Sequence, residues 1–294
     1  METLESIWRR IRTAEQLHGL VRTMKALAAV NIRQFEQAVE ALREYRHTLK
    51  LAMRATLRGP DGSSLWARRA SSQRLGAIIC GSDQGMCGPL NDRVARFAED
   101  ELERLGFARE SRRVIAVGQR VVSRIEDAGE LVDTVLSMSG TVTGLTPLAE
   151  QVLLEIDRWE REHGIDRVVV FYCEHLSRAA YEPRRIDLLP IDRRWLESEA
   201  KEPWPTRMIP QLAGPPAELF SELVRQTLFV SIYRALAESQ ASENASRLLT
   251  MRGAEQSIGE HLEELTRAYH LQRQMAITEE LLDIASGSES LANE

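Results

Sequence analysis

A chain of 294 residues, 43% hydrophobic and 28% charged, can bury one large core or two small ones and stay in solution. Its net charge of −6 argues against a general affinity for nucleic acid or anionic lipid. Cys80, Cys87 and Cys173 contain no C-x-x-C pair, which argues against a disulfide framework or a zinc site and fits a reducing, cytosolic compartment. The opening METLESIWRRIRTAEQ has no apolar h-region and carries Glu2, Glu5 and Glu15, so neither a secretory signal nor a transit peptide is predicted. The longest apolar run, Val168 to Cys173, is too short to span a bilayer, so any membrane link is expected to run through partners.

From Leu4 to Leu57 there is no proline, and apolar residues fall at Leu4, Ile7, Ile11, Ala14, Leu17, Val21, Met24, Ala28, Ile32, Phe35, Val39 and Leu42. Steps of three and four predict one long amphipathic helix, and its length suggests a coiled coil. RGPDGSS at 58–64 supplies the stop. Residues 74–205 change character. Segments 75–80, 113–118, 130–136, 167–173 and 184–191 read as Val- and Ile-rich strands, and 91–106, 120–129 and 147–164 as helices. The alternation predicts a Rossmann-like α/β domain with a mainly parallel sheet covered on both faces. After AGPP at 213–216 the chain reads as helix through Ile284, with Pro215 or Pro216 in the first turn and Gly287 as the stop. The expected division is 1–73, 74–205 and 206–294.

Charge is distributed unevenly. Residues 1–58 carry 11 Lys/Arg against 6 Asp/Glu, a net of +5, and 216–294 carry 6 against 13, a net of −7. Antiparallel pairing of the terminal helices would bury both apolar stripes and match these charges. Leu4, Ile11, His18 and Lys25 share one register, so the apolar seam drifts off a strict seven-residue repeat and an irregular coil is expected.

CGSDQGMCGPLN at 80–91 sits where α/β folds bind phosphates, between a first strand and a helix N-terminus. Yet no Lys or Arg occurs from Gly81 to Asn91, and Asp83 occupies the first glycine position of a dinucleotide fingerprint. Cys87 would need a base, and His163 and His175 are the only histidines of the central region. The structural reading is cheaper. Gly81, Gly85 and Gly88 would permit positive φ, Ser82 and Asp83 would bond backbone N–H groups of the turn, and Pro89 would start the next helix. No catalytic residue, cofactor or metal is predicted.

CGSDQGMCGPLN is similar to the G-S-D-x-G-L-C-G-G-L-N segment of the γ subunits of F-type ATP synthases, the central-stalk rotors. LVRTMKALAAVNIRQ (20–34) resembles that family's I-T-K-A-M-x-M-V-A-A-x-K-L-R segment. SENASRLLTMRGA (242–254) and RQMAITEELLDIASGSESL (273–291) resemble its S-E-x-x-A-R-M-x-A-M and R-Q-A-x-I-T-x-E-L-x-E-I-x-x-G-A segments. The resemblance implies one copy per complex of a rotor chain. Its coil would pass through an α3β3 hexamer of ATP synthase α and β subunits, and its central domain would lie beside the ε subunit and the membrane c-ring. It implies rotor–stator contacts at Met24, Arg247, Gln274 and Thr278, a central domain that is not a nucleotide site, and a place on the cytoplasmic face of the bacterial inner membrane.

Arg22, Thr23, Asn31, Pro89 and Gly253 depart from the family pattern and suggest a divergent branch, such as the alternative bacterial ATPases. The competing readings are a nucleotide-dependent enzyme using the 81–88 turn and an unrelated coiled-coil adaptor. Long helices need a packed partner, so a peptide of residues 206–294 alone is expected to be poorly helical, and high salt to loosen the pairing in the full chain. Circular dichroism across a salt series checks both, and a fully helical monomeric peptide would contradict the pairing.

Overall fold

The computed structural model describes residues 3–59, 73–177, 180–205, 207–208 and 211–292, with backbone only at 177, 283 and 285–292. The expected stop at 58–64 lies outside the described residues from 60 onward. The chain forms two compact units, Met1–Leu27 with Leu248–Glu294, and Ala28–Arg247. Both terminal helices contribute to both units: α1 is Leu4–Leu57 and α6 is Pro216–Ala292. Between them lie β1 (Leu75–Cys80), α2 (Leu90–Leu105), β2 (Arg112–Val117), α3 (Gln119–Asp127), β3 (Thr134–Leu136), α4 (Leu145–His163), β4 (Val168–Ser177), β5 (Ala180–Leu189) and α5 (Arg193–Lys201).

In the 28–247 unit the five strands form one sheet in the order β3-β2-β1-β4-β5. The first four are parallel and β5 pairs antiparallel to β4, so the sheet is mainly parallel as expected. Alternating residues face two cores. Ile78, Ile115, Val170 and Tyr172 pack with α4 and with α6 residues Leu228–Ala241; Ala77, Ile79, Ala116 and Phe171 pack with α2 and α3. This double cover is why the strands read as unbroken apolar runs. Gly76 on β1 faces Trp159 of α4, and a Cβ there would lie 2.4 Å from the indole.

Several boundaries differ from the sequence reading. Only Thr134–Leu136 of 130–136 is strand, because Glu130 is drawn off the ladder into a buried ion pair with Arg112. β5 begins earlier, at Ala180, and ends before Pro190; Pro183 is tolerated because β5 is an edge strand. The unforeseen α5 is capped by Asp192, whose side chain accepts from the Arg194 N–H at 2.8 Å. α6 runs through Gly287 to Ala292, since a helical glycine costs only about 1 kcal/mol and does not by itself end a helix.

The seam also departs from expectation. None of Leu4, Ile7, Ile11, Ala14, His18, Val21, Lys25, Ala28, Ile32, Phe35, Val39 and Leu42 is exposed, an unbroken heptad spacing of alternating three and four. On α6 the same holds for Leu248, Met251, Glu255, Ile258, Leu262, Leu265, Tyr269, Gln272 and Ala276. The repeat is therefore kept, with His18 and Lys25 occupying seam positions. In the unit holding the chain ends, Lys25 pairs with Glu255. That hydrogen bond, then the Lys25, His18 and Arg22 charges, hold the Glu255 carboxyl below its usual range. In the other unit, Asn31 bonds Asn244 at 3.3 Å and Tyr45 bonds Gln226 at 3.0 Å, which fixes the antiparallel sense. Charge matching is only partly direct, because Lys50 and Arg54 pair with Glu199 of α5 at 2.8 and 2.6 Å rather than with α6.

Gly76→Ala drives a methyl into a packed indole and is expected to cost about 1–3 kcal/mol. Gly85→Ala, where a methyl would meet nothing within 4 Å, should stay within about 0.5 kcal/mol. Urea melts of the two variants against the parent check the contrast.

Candidate functional site

The most unusual segment of the 28–247 unit is the run Ala235 to Arg247 on α6, ALAESQASENASR, in which every residue is buried. Ala237, Ala241 and Ala245 are 0–2% exposed. Their four-residue spacing makes a flat ridge where the helix can approach its neighbours closely. Between and just after the alanines lie Glu238, Ser239, Gln240, Ser242, Glu243, Asn244, Ser246 and Arg247, also buried. Buried polar groups are costly unless hydrogen-bonded. Ser242, Asn244, Ser246 and Arg247 bond outward to other elements, Glu238, Gln240 and Glu243 bond within α6, and the Ser239 hydroxyl has no partner among the described residues. Ser242 Oγ donates to the Cys173 carbonyl of β4 at 2.8 Å, and Ser246 Oγ donates to the Cys87 carbonyl at 2.5 Å. The Ser246 hydroxyl also meets Tyr181 Oη at 3.4 Å.

Arg247 closes the segment. Its guanidinium donates to Glu243 at 2.5 Å and reaches the Gly85 carbonyl at 3.4 Å. Burial lifts the Glu243 carboxyl above its usual range, and the Arg247 charge and hydrogen bond oppose the lift. A polar cleft of about 170 Å³ lies beside it, lined among others by Asn31, Asp83, Gln84, Gln240 and Arg247. Arg247 Nε has no hydrogen-bond partner among the described residues.

The 81–88 turn is the other half of this contact. The Ser82 N–H donates to Asn91 Oδ1 at 3.0 Å, and Asn91 Nδ2 donates back to Ser82 Oγ at 2.8 Å. Asp83 Oδ1 accepts from the Gln119 N–H at 2.7 Å, so it caps α3 rather than bonding its own turn. Of the three glycines expected at positive φ, only Gly88 is there, at 56°; Met86 takes the other left-handed position at 61°. Gly81 is required instead by space, since a Cβ would lie 2.4 Å from Val121 and 2.6 Å from Asn91. Gly85 is required by neither. Pro89 precedes the first residue of α2.

Cys87 is buried, 3.3 Å from Ser82 Oγ. Burial raises its pKa while Ser82 opposes; Cys80 and Cys173 are pushed up to about 12 by burial. His175 Nε2 meets Glu36 at 3.1 Å, and the His163 carbonyl accepts from Arg74. The thiol thus has the surroundings of a packed residue, not of an activated nucleophile. Among the described residues no group of His, Cys, Asp and Glu is arranged to hold a metal, and no helix is long and apolar enough to cross a membrane.

The four residues expected to meet a stator are not brought together. Arg247 is 6% exposed and engaged as described, Met24 is half-buried beside the seam, and Gln274 and Thr278 are exposed on α6. The Thr278 hydroxyl donates to the Gln274 carbonyl at 2.9 Å. Sequence reasoning missed Asn91, Glu243 and Ser246. The available signal was the absence of any large apolar residue from 237 to 247 in an otherwise striped helix.

The fold defines a class: an antiparallel coiled coil of the chain's two ends with a Rossmann-like domain inserted between them. The family model described as ATP synthase matches residues 3–291. The chain is 28% identical over 297 residues to the ATP synthase gamma chain of Sinorhizobium fredii, covering 99% of this chain and 100% of that one. It is 26% identical over 296 residues to that of Brucella ovis, with the same coverage. Among solved structures it resembles a chain of the Euglena gracilis mitochondrial ATP synthase OSCP/F1/c-ring assembly, with a TM-score of 0.65 and 16% identity over 98% of this chain and 94% of that one. It also resembles one of the Tetrahymena thermophila central stalk and c-ring, with a TM-score of 0.54 and 20% identity over 80% and 99%. The chain belongs to the ATP synthase gamma family.

Removing Arg247 strands a buried carboxylate, so Arg247→Ala is expected to cost about 3–5 kcal/mol. A raised folded-state pKa means the native chain holds its proton longer than the unfolded one. Stability should therefore fall as pH rises from the ordinary carboxylate range through the raised Glu243 value. Glu243→Gln should flatten that stretch of the curve, as read by urea melts at stepped pH.

Proposed function

We propose that the chain is the rotor shaft of an F1Fo ATP synthase, transmitting ion-driven rotation of a membrane c-ring to the catalytic β subunits of an α3β3 hexamer. The observation that carries this reading is the family match over residues 3–291, together with gamma-chain relatives aligned across their whole length. One copy would serve each complex, beside an ε subunit, as a peripheral component on the cytoplasmic face of a bacterial inner membrane. In this reading 1–73 and 206–294 form the shaft, 74–205 forms the foot, and the chain contributes no catalytic residue of its own.

The geometry suits torque. A shaft must not slip in its foot, and the Ala235–Arg247 segment is held by hydrogen bonds from three sides. Gln274, Thr278 and half-buried Met24 are available to a surrounding partner. Arg247, engaged by Glu243 and Gly85, acts by fixing α6 to the turn. The 81–88 turn serves as a clamp, which favours the shaft over a nucleotide enzyme.

Mixing the purified chain with its cognate α and β subunits is expected to restore a stable complex that hydrolyses ATP, while the chain alone turns over no nucleotide. Gln274→Ala and Thr278→Ala should leave the melting of the isolated chain within about 0.5 kcal/mol of the parent and lower ATP hydrolysis by the complex. Failure to assemble with cognate partners would sink the reading.

A further inference from the structure

A groove of about 460 Å³ lies in the 28–247 unit between α1, α5 and α6, and its lining includes Arg43, Arg46, His47, Lys50 and Arg234 against one acid, Glu40. Three of the four permanent cations are matched within the chain. Arg43 pairs with Glu40 at 2.8 Å, Arg234 with Glu238 at 2.6 Å, and Lys50 with Glu199 at 2.8 Å, a carboxylate it shares with Arg54. Arg46 and His47 have no hydrogen bond or ion pair among the described residues. Arg46 is solvent-exposed in the groove, beside Arg234. Partial burial and then the Arg234 charge lower its pKa, against weaker support from Glu238 and Tyr172. A guanidinium does not lose its proton in a protein, so Arg46 presents a full charge to the groove.

We propose that this groove binds a ligand carrying two or more phosphate groups, with Arg46 as its principal contact. The planar fork of a guanidinium matches phosphate oxygens in pairs. Half-exposed Lys50 and the His47 ring extend the cationic side, and a second guanidinium, Arg234, completes it. Val39, Leu49, Val230 and Trp195 form an apolar floor for the rest of the ligand, and the volume is that of an ordinary small-molecule site. The same chemistry could arrive on a soluble polyphosphate or on a lipid headgroup. Neither the 81–88 turn nor assembly with other subunits is required.

The test uses the full-length chain. Isothermal titration with inorganic tripolyphosphate, and co-sedimentation with phosphatidylcholine vesicles with and without diphosphatidylglycerol, separate the two sources. Saturable one-to-one binding of tripolyphosphate supports a soluble ligand, and binding to the anionic vesicles alone supports a headgroup. In either case Arg46→Ala should weaken binding by about tenfold or more and Arg46→Glu should abolish it. Gly85→Ala and Arg104→Ala should leave it unchanged, with the melting of all variants within about 0.5 kcal/mol of the parent. The proposal is overturned if both titrations are flat, if binding survives Arg46→Glu, or if an aspartate-rich peptide binds the groove while both phosphate probes do not.

Discussion

The structure depends on one constraint: α6 has to pass through the body of the 28–247 unit with no face left to solvent. Thirteen consecutive residues, 235–247, are buried. An ordinary striped helix could not occupy that position, because its polar face would be desolvated without partners. The chain meets the requirement with two side-chain types. Alanines at 237, 241 and 245 let the backbones close up, and short polar side chains between them find acceptors on β4 and on the 81–88 turn. The main chain of the helix satisfies itself, so only the side chains need outside partners.

That arrangement explains why the turn is built as it is. Its carbonyls at Gly85 and Cys87 point at Arg247 and Ser246, and they are held in place from behind by the reciprocal bonds between Ser82 and Asn91. Asp83 ties the same loop to α3. A stretch with the glycines and cysteines of a catalytic loop is thus a bracket. Its residues suit close approach and the direction of their carbonyl groups.

Much of this was legible in the sequence, and the gaps have physical causes. The apolar runs at 75–80 and 168–173 announced a sheet covered on both faces, and steps of three and four announced the terminal helices. Periodicity of apolar residues could not reveal the coil's true register, because His18, Lys25 and Glu255 hold seam positions with polar side chains. It also could not reveal that 237–247 is interior, since hydrophobicity marks burial against apolar surface and this segment is buried against hydrogen-bonding groups. The turn's glycines were identified by type, but their reasons differ. Gly81 answers to a neighbouring valine, Gly88 to backbone rotation, and Gly85 to nothing within reach. Contacts with other subunits would depend on surfaces outside the chain, so no pattern within it could rank Met24, Arg247, Gln274 and Thr278.

The packing of α6 against the sheet also bears on biosynthesis. One whole face of the sheet, around Ile78, Val170 and Tyr172, is covered partly by Leu228, Ile232, Leu236 and Ala241. Those residues are translated long after the strands they protect. A ribosome that has finished β5 has therefore produced a half-open domain, with apolar surface exposed and the carbonyls at Cys87 and Cys173 unanswered. Folding of the central domain cannot finish before the second long helix has emerged, so the last third of the chain acts as the closing step for the middle third. Truncation anywhere before residue 247 should yield an insoluble product rather than a shortened, folded one.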